Sequence, residues 1–140
     1  MKKKIAILGS TGSIGKSLIN ILKKYKKGVE IYLLTANKNF KEILKQTEVF
    51  NVKNIIVTDP AAYFKIKKLL KKKKINIFNH LESINKIFKN KKIDYCMSSI
   101  SGFNGLKPTL DVIKFSKTIA IANKESIICG WSLIKKNLKK

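Results

Sequence analysis

Three glycines near the N-terminus have the spacing of a phosphate-binding turn. Gly9, Gly12 and Gly15 stand in GSTGSIG, behind a short apolar run and in front of an amphipathic one. A turn from a strand into a helix leaves unpaired amides at the helix start, and these bind the pyrophosphate of a dinucleotide. The usual spacing is GxGxxG; here it is GxxGxxG, with hydroxyls at Ser10, Thr11 and Ser13 as further donors. We assign pyrophosphate binding to Thr11, Gly12, Ser13 and Ile14. The alternative is a tight turn with a purely structural role.

A second polar stretch, TANKN at residues 35–39, indicates which dinucleotide would bind. A free ribose 2′-hydroxyl usually meets a carboxylate about 20 residues beyond the glycines, which here points to Thr35. Instead of a carboxylate the stretch has Lys38 between Asn37 and Asn39. A cation with amide neighbours suits a 2′-phosphate, so we predict NADP rather than NAD. The alternative is that Lys38 is one ordinary surface lysine among 31.

A third stretch, ANKESIICG at residues 122–130, follows the last apolar strand segment. Ligands of parallel α/β sheets lie beyond the carboxyl ends of the strands, where Asn123, Lys124, Glu125 and Ser126 would stand. The same residues also suit a plain helix start, with Asn123 as the cap and Glu125 in the first turn. Both interpretations stay open from the residues alone.

Alternating apolar strands and amphipathic helices would position these residues. We predict strands at 3–8, 29–35, 53–58, 75–78, 93–98 and 118–122. We predict helices at 14–26, 40–50, from Asp59 and Pro60 to the lysines at 71–74, at 81–90, at about 107–116, and from the last polar stretch to the C-terminus. In the first helix, Ile14, Leu18, Ile21, Leu22 and Tyr25 share one face, and Gly28 ends it. The pattern predicts one domain, residues 1–140, with a doubly wound, mostly parallel α/β sheet and helices on both faces, a Rossmann-like fold.

The net charge of +23 raises the alternative of a nucleic-acid-binding module. All 31 basic residues are lysine, however, whereas phosphate and base recognition favours arginine. Lysine, isoleucine and asparagine are also the residues that AT-rich codons supply. We therefore expect solvated lysines, weak polyanion binding that disappears as salt rises, and no specific nucleic-acid partner.

The cysteines, the single histidine and the apolar segments give no support to a metal site, a disulfide or a membrane span. Cys96 and Cys129 lie in apolar segments without CxxC spacing, so we expect buried reduced thiols and no metal site or disulfide. His80 is expected at the surface or at a helix start. No segment resembles a signal peptide or reaches the roughly 18 apolar residues of a membrane span, so we expect no membrane partner.

Four motifs together resemble the N-terminal domain of the 1-deoxy-D-xylulose 5-phosphate reductoisomerase family. They are GSTGSIG, ANKN, SGFNGL and AIANKESIICG, in this order and spacing; the resemblance covers all 140 residues, and ANKES is its most specific part. It implies an NADPH-dependent rearrangement and reduction of 1-deoxy-D-xylulose 5-phosphate to 2-C-methyl-D-erythritol 4-phosphate, an early step of non-mevalonate isoprenoid biosynthesis. Two positions depart from the family pattern: Asn37, often glycine there, and Trp131, where a small residue is common.

The resemblance also implies roles for individual residues. Thr11, Gly12, Ser13 and Ile14 would hold the pyrophosphate, and Asn37, Lys38 and Asn39 the adenosine with its 2′-phosphate. Asn123 and Glu125 would touch the nicotinamide half. Lys124 would reach the substrate, a sugar phosphate, where an ammonium group suits a phosphate or a developing oxyanion.

Enzymes of this family are several hundred residues long. Beyond this region they carry a DSE motif that binds a divalent metal (Mg or Mn), a mobile loop and a C-terminal helical domain. No DSE occurs here. We therefore expect a fragment that binds NADPH, holds no metal or catalytic residue of its own, turns nothing over, and exposes a hydrophobic surface where the remainder would pack. The family implies a homodimer for the full-length enzyme, in the bacterial cytoplasm or in an organelle stroma after removal of a transit peptide. The rival interpretations are another NADP-dependent reductase domain and a regulatory nucleotide-binding domain.

Overall fold

Six parallel strands form one sheet in the computed structural model, which describes residues 1–138. The strands are β1 (Lys3–Leu8), β2 (Val29–Ala36), β3 (Val52–Val57), β4 (Asn76–Phe78), β5 (Ile93–Ser98) and β6 (Ser116–Ile121). The helices are α1 (Ser13–Lys23), α2 (Phe40–Val49), α3 (Pro60–Leu69), α4 (Ser83–Ile87), α5 (Leu106–Ile113) and α6 (Lys124–Leu138). The strand order is β4-β3-β2-β1-β5-β6, so the chain builds outward from β1 in one direction and then in the other. The predicted doubly wound fold is confirmed.

Two hydrophobic clusters cover the two faces of the sheet. One joins β1, β2 and β3 to α1, α2 and α3, through residues such as Ile19, Ile43 and Ile66. The other joins the strands to α4 and α5 through Ile84 and Val112. Because both faces of the sheet are covered, the sequences of the central strands are continuous apolar runs and do not alternate between apolar and polar residues. The last four residues of β1 are all buried.

The first helix differs from its prediction in its end and in its buried face. It ends at Lys23, and Gly28 belongs to a separate short 3-10 turn, Lys26–Gly28. Its buried residues are Gly15, Ile19 and Leu22, with Leu18 partly buried. The predicted face was wrong for Ile14, Ile21 and Tyr25, which are 43%, 56% and 63% exposed. Ile14 and Ile21 point outward because Gly15 packs directly on the backbone of Gly9 and Ser10, which sets the rotation of the helix, whereas Tyr25 lies beyond the helix end.

Other element boundaries moved by one to five residues; α3, which was predicted to reach the lysines at 71–74, ends at Leu69. The predicted helix at 81–90 is only Ser83–Ile87, and the one at 107–116 is Leu106–Ile113. The strand predicted at 118–122 begins at Ser116. The predicted cap of α3 is confirmed, because the Asp59 carboxylate accepts a hydrogen bond from the Ala62 N–H at 2.9 Å.

The two cysteines have different environments. Cys96 is buried in β5, and burial raises the pKa of its thiol far above the ordinary value. Cys129 is exposed on α6, so the prediction that it is buried was wrong. The apolar residues next to Cys129 belong to a helix face that no described element covers. Among the described residues, no helix combines the length and apolar composition needed to cross a membrane.

Candidate nucleotide-binding site

An open cleft of about 700 Å³ lies beyond the carboxyl ends of the strands, where the strand order reverses between β1 and β5. This reversal is where ligands bind in open α/β sheets. The loops after β1 and β5 form its two sides, and the ends of β2 and β3 extend it. Its lining includes Gly9, Thr11, Gly12, Thr35, Ala36, Asn37, Thr58, Glu82, Ser99, Ile100, Ser101, Phe103, Asn104, Lys107 and Asp111.

The three positions of the first turn are occupied by glycine for different structural reasons. Gly9 has φ +79°, and a Cβ there would lie 2.8 Å from the Ser99 carbonyl oxygen. A Cβ on Gly15 would overlap the Gly9 carbonyl oxygen. Gly12 has an extended backbone, and an added Cβ would stand an ordinary 3.6 Å from the Gly9 oxygen. The fold thus requires glycine at positions 9 and 15, while the open surface at Gly12 leaves room for a ligand to approach the backbone.

The start of α1 is available to an anion. Gly12 caps this helix without a side-chain hydrogen bond, and the first turn of residues 13–23 contains no acidic residue. Its first amides therefore keep their hydrogen-bonding capacity, and the helix dipole favours negative charge there. Thr11 is half-buried, while Gly12, Ser13 and Ile14 are exposed. These residues fit the pyrophosphate of a dinucleotide, and their assignment to it stays a prediction.

Ser10 and Thr35 hold the turn instead of facing a ligand. The Gly9 N–H donates to Thr35 Oγ1 at 2.8 Å, and the Ser10 N–H donates to the Thr35 carbonyl oxygen at 2.9 Å. The Ser10 hydroxyl also donates to that carbonyl at 3.3 Å, and both residues are at least 99% buried. The prediction of Ser10 as a phosphate donor was therefore wrong, because its hydroxyl points inward. Thr35 is at the position where a carboxylate would bind the ribose hydroxyl, but here it accepts hydrogen bonds that hold the turn.

The stretch predicted to bind adenosine lies at the start of α2, and all three of its residues are exposed. The Asn37 amide donates to Thr58 Oγ1 at 3.1 Å, and Asn37 lines the cleft. Asn39 caps α2, since its side-chain oxygen accepts from the Glu42 N–H at 3.1 Å. Lys38 stands between them at the N-terminal end of the helix. The structure thus places a cation and a helix N-terminus beside the cleft.

Asn123 connects the start of α6 to the loop after β5. Its side-chain nitrogen donates to the carbonyl oxygens of Ile100 and, at 2.8 Å, of Gly102, while its side-chain oxygen accepts from the Ser126 N–H at 3.0 Å. The helix-cap interpretation is therefore confirmed, and both amide hydrogens are used within the protein. Contact of Asn123 with the nicotinamide stays a prediction. Such a contact would use the backbone of Asn123, because its side-chain amide hydrogens are already bonded within the protein.

Lys124 and Glu125 follow Asn123 in the first turn of α6. Lys124 is exposed and Glu125 is half-buried. The cleft lining does not include them, although the Asn123 side chain ties their helix to the Ile100 and Gly102 carbonyls at the cleft wall. Their predicted contacts with the substrate and with the nicotinamide stay predictions.

Sequence reasoning missed an ion pair in the cleft. Lys107 Nζ lies 3.0 Å from Asp111 Oδ2, one turn along α5. The hydrogen bond to Asp111 raises the pKa of Lys107, so this lysine stays charged in the cleft. The i, i+4 spacing on a predicted helix was a signal that could have identified the pair.

Residues 1–138 contain no group of three or more His, Cys, Asp or Glu side chains placed to hold a metal ion. The cleft does contain two carboxylates, Glu82 and Asp111. Asp111 is paired with Lys107. Since a lysine already neutralises one of these two carboxylates, we assign no cation to the pair.

The family model for 1-deoxy-D-xylulose 5-phosphate reductoisomerase matches residues 5–130. This match contains every motif described above, from the glycine turn to Gly130. The chain belongs to this family. The reductoisomerase of Pelagibacter ubique is 65% identical over 139 residues, covering 99% of this chain and 36% of the relative. That of Thermotoga maritima is 35% identical over 138 residues, covering 99% and 35%.

Solved reductoisomerase structures have the same fold. The enzyme from Zymomonas mobilis in complex with NADPH superposes with a TM-score of 0.90 at 28% identity, covering 99% of this chain and 36% of that one. A second, in complex with NADPH, fosmidomycin and magnesium, gives 0.88 at 28% identity, covering 98% and 34%. The chain thus spans about a third of the length of these reductoisomerases.

Proposed function

We propose that this chain is the NADPH-binding region of a 1-deoxy-D-xylulose 5-phosphate reductoisomerase. The observation that carries the proposal is the cleft at the β1–β5 reversal, with an open backbone at Gly12 and, behind it, a helix start that has no side-chain cap. The likeness to a reductoisomerase solved with NADPH supports the same cofactor. Another NADP-dependent reductase domain would share the cleft but not the family match over residues 5–130.

In this proposal each part of the cleft binds one part of the cofactor. Thr11, Gly12, Ser13 and Ile14 hold the pyrophosphate through the amides of Thr11, Ser13 and Ile14, the hydroxyls of Thr11 and Ser13, and the close approach that Gly12 allows, whose own N–H donates to the Gly9 carbonyl oxygen. Lys38 pairs with the 2′-phosphate beside Asn37 and Asn39. The bound NADPH supplies a hydride for the reduction. The start of α6 serves the other half of the site, with the Asn123 backbone and Glu125 toward the nicotinamide and Lys124 toward a sugar phosphate.

The activity of the whole enzyme is also part of the proposal. It is the NADPH-dependent isomerisation and reduction of 1-deoxy-D-xylulose 5-phosphate to 2-C-methyl-D-erythritol 4-phosphate. The divalent metal, Mg²⁺ or Mn²⁺, would bind residues other than 1–138, so we expect the 140-residue chain to bind NADPH without turnover. A homodimer of the full-length enzyme and a bacterial cytoplasmic location complete the proposal, and the bacterial relatives support that location.

The direct test is a fluorescence titration of the chain with NADPH and with NADH at about 0.15 M salt, where weak binding to scattered lysines is screened. NADPH should bind more tightly. Lys38→Ala should weaken NADPH roughly tenfold, since a charge-assisted bond to the 2′-phosphate is lost, and leave NADH nearly unchanged. Lys45→Ala is the matched control, because Lys45 is an exposed lysine further along the same helix.

A folded chain that binds neither nucleotide would overturn the proposal, with circular dichroism verifying the fold. Equal affinities for NADPH and NADH would make the predicted preference for NADP wrong. A chain that binds nucleic acid with micromolar affinity near physiological salt, and not NADPH, would favour the alternative of a basic nucleic-acid-binding module.

A further inference from the structure

A continuous chain of hydrogen bonds joins the two parts of the cleft that are proposed to bind phosphate. At one end, Asn39 caps α2 by accepting from the Glu42 N–H. At the other end, Thr35 accepts from the Gly9 and Ser10 backbone of the glycine turn. Gln46 of α2 connects the two ends. Its side-chain nitrogen donates to the Ser10 carbonyl oxygen at 2.9 Å and to Glu42 Oε1 at 3.2 Å.

Gln46 and the carbonyl that it contacts are buried, so the loss of these hydrogen bonds would leave polar groups without partners. The residue is 2% exposed, and both hydrogens of its amide are used. Ser10 is fully buried, so a Ser10 carbonyl that lost this donor would have no water to replace it. Gln46 thus holds a buried backbone carbonyl of the glycine turn from two turns along the helix that Asn39 caps.

We infer that Gln46 is a positioning residue that fixes the distance between the pyrophosphate turn and the 2′-phosphate residues, and thereby sets the preference for NADPH over NADH. The inference rests on the proposed function. NADPH carries phosphates at both places, so it binds well only when the turn and the start of α2 are held at the matching separation. NADH has no 2′-phosphate and is insensitive to where Lys38 stands.

Gln46→Met tests this inference, since methionine has a similar length and fills the buried space but donates no hydrogen bond. The measurement is the dissociation constant of NADPH and of NADH for the full chain, together with its melting temperature. We expect NADPH to bind about fivefold more weakly, the equivalent of one lost hydrogen bond, and NADH to change less than about twofold.

Asn54→Leu is the matched control. Asn54 is 4% exposed and donates to the Tyr32 carbonyl oxygen at 2.9 Å, in a part of the sheet that does not line the cleft. Its loss should lower the melting temperature and leave the ratio of the two dissociation constants unchanged. A similar change of that ratio in both variants, or an unchanged ratio in Gln46→Met, would overturn the inference.

Hydrogen exchange on the unaltered chain tests the same coupling should Gln46→Met fail to fold. Adenosine 2′-monophosphate, which carries no pyrophosphate, should slow exchange at residues 9–12 as well as at the start of α2. Slowing confined to residues 37–43 would overturn the inference while leaving the proposed function intact. An unaltered chain that binds neither NADPH nor NADH overturns both, so the two failures are distinguishable.

Discussion

Within the glycine turn, residues of the same type have different roles: some hold the turn together and others face the cleft. Gly9 and Gly15 are glycines because backbone atoms of the same protein occupy the space of a side chain. Gly12 faces the cleft, where the protein leaves that space open. Of the hydroxyl residues, Ser10 points inward and Ser13 is exposed. Tests of the binding site should therefore use Gly12, because substitutions at Gly9 or Gly15 would damage the turn itself.

Gly12→Asp should abolish NADPH binding and leave the melting temperature almost unchanged, because a carboxylate there repels the pyrophosphate without meeting the backbone. Gly15→Ala should lower the melting temperature strongly, since its methyl group overlaps the Gly9 carbonyl oxygen. Gly28→Ala is the control, because an added Cβ there meets no described atom within 4 Å. A Gly12→Asp chain that binds NADPH normally would contradict the pyrophosphate assignment.

Between secondary-structure elements, one carboxylate ties three neighbouring strands together. Asp94 of β5 accepts from the Lys4 N–H of β1 at 2.9 Å and from Lys117 Nζ of β6 at 2.8 Å. The hydrogen bond from Lys117, followed by that from Lys4, lowers the pKa of Asp94 below its ordinary value. Strand β6 is an edge strand, so this pair helps to hold it on the sheet.

The sign of the pH dependence follows from the lowered pKa. The stabilisation by Asp94 is fully present above the unfolded-state pKa of about 4, and it is lost as the pH falls through the lower folded-state value. Asp94→Asn should therefore lower the melting temperature at pH 7 and have a smaller effect near pH 2. Thermal melts from about pH 2 to 7 measure this. An equal loss at both ends of the range would show that the carboxylate charge is not involved.

Over the molecule as a whole, the outer face of α6 departs from an ordinary polar surface. Ile128 is 76% exposed, Trp131 46% and Ile127 36%, and the three side chains lie within about 100° of one another around the helix. This face agrees with the sequence prediction of an exposed hydrophobic surface. Isolated exposed apolar residues are common, whereas several on one helix form a surface that binds other apolar groups.

A hydrophobic dye should bind this face of the isolated chain. The double variant Ile128→Ser and Trp131→Ser should reduce dye fluorescence severalfold, because two exposed apolar side chains of this face are removed. Phe64→Ser is the control, since Phe64 is 68% exposed on α3, away from this face. Dye fluorescence that is equal in the unaltered chain and in the double variant would contradict the prediction.

Local sequence patterns were enough to predict the order and type of the six strands and six helices found in residues 1–138, and the position of the glycine turn. These features depend on periodicity, on turn residues and on caps such as Asp59, which act within a few residues. The motifs also indicated the family, because their order and spacing along the chain are themselves properties of the sequence. The site residues at 11–14, 37–39 and 123–125 stay predictions, although the structure places the first two groups beside one cleft.

Contacts between distant parts of the chain became visible only in the folded molecule. The buried face of α1 follows from Gly15 packing on Gly9, and the inward direction of Ser10 follows from Thr35, 25 residues away. The bonds from Asn123 to Ile100 and from Gln46 to Ser10 span 23 and 36 residues. Local patterns cannot specify such pairs, because a side chain's partners are fixed only when distant strands meet in the sheet.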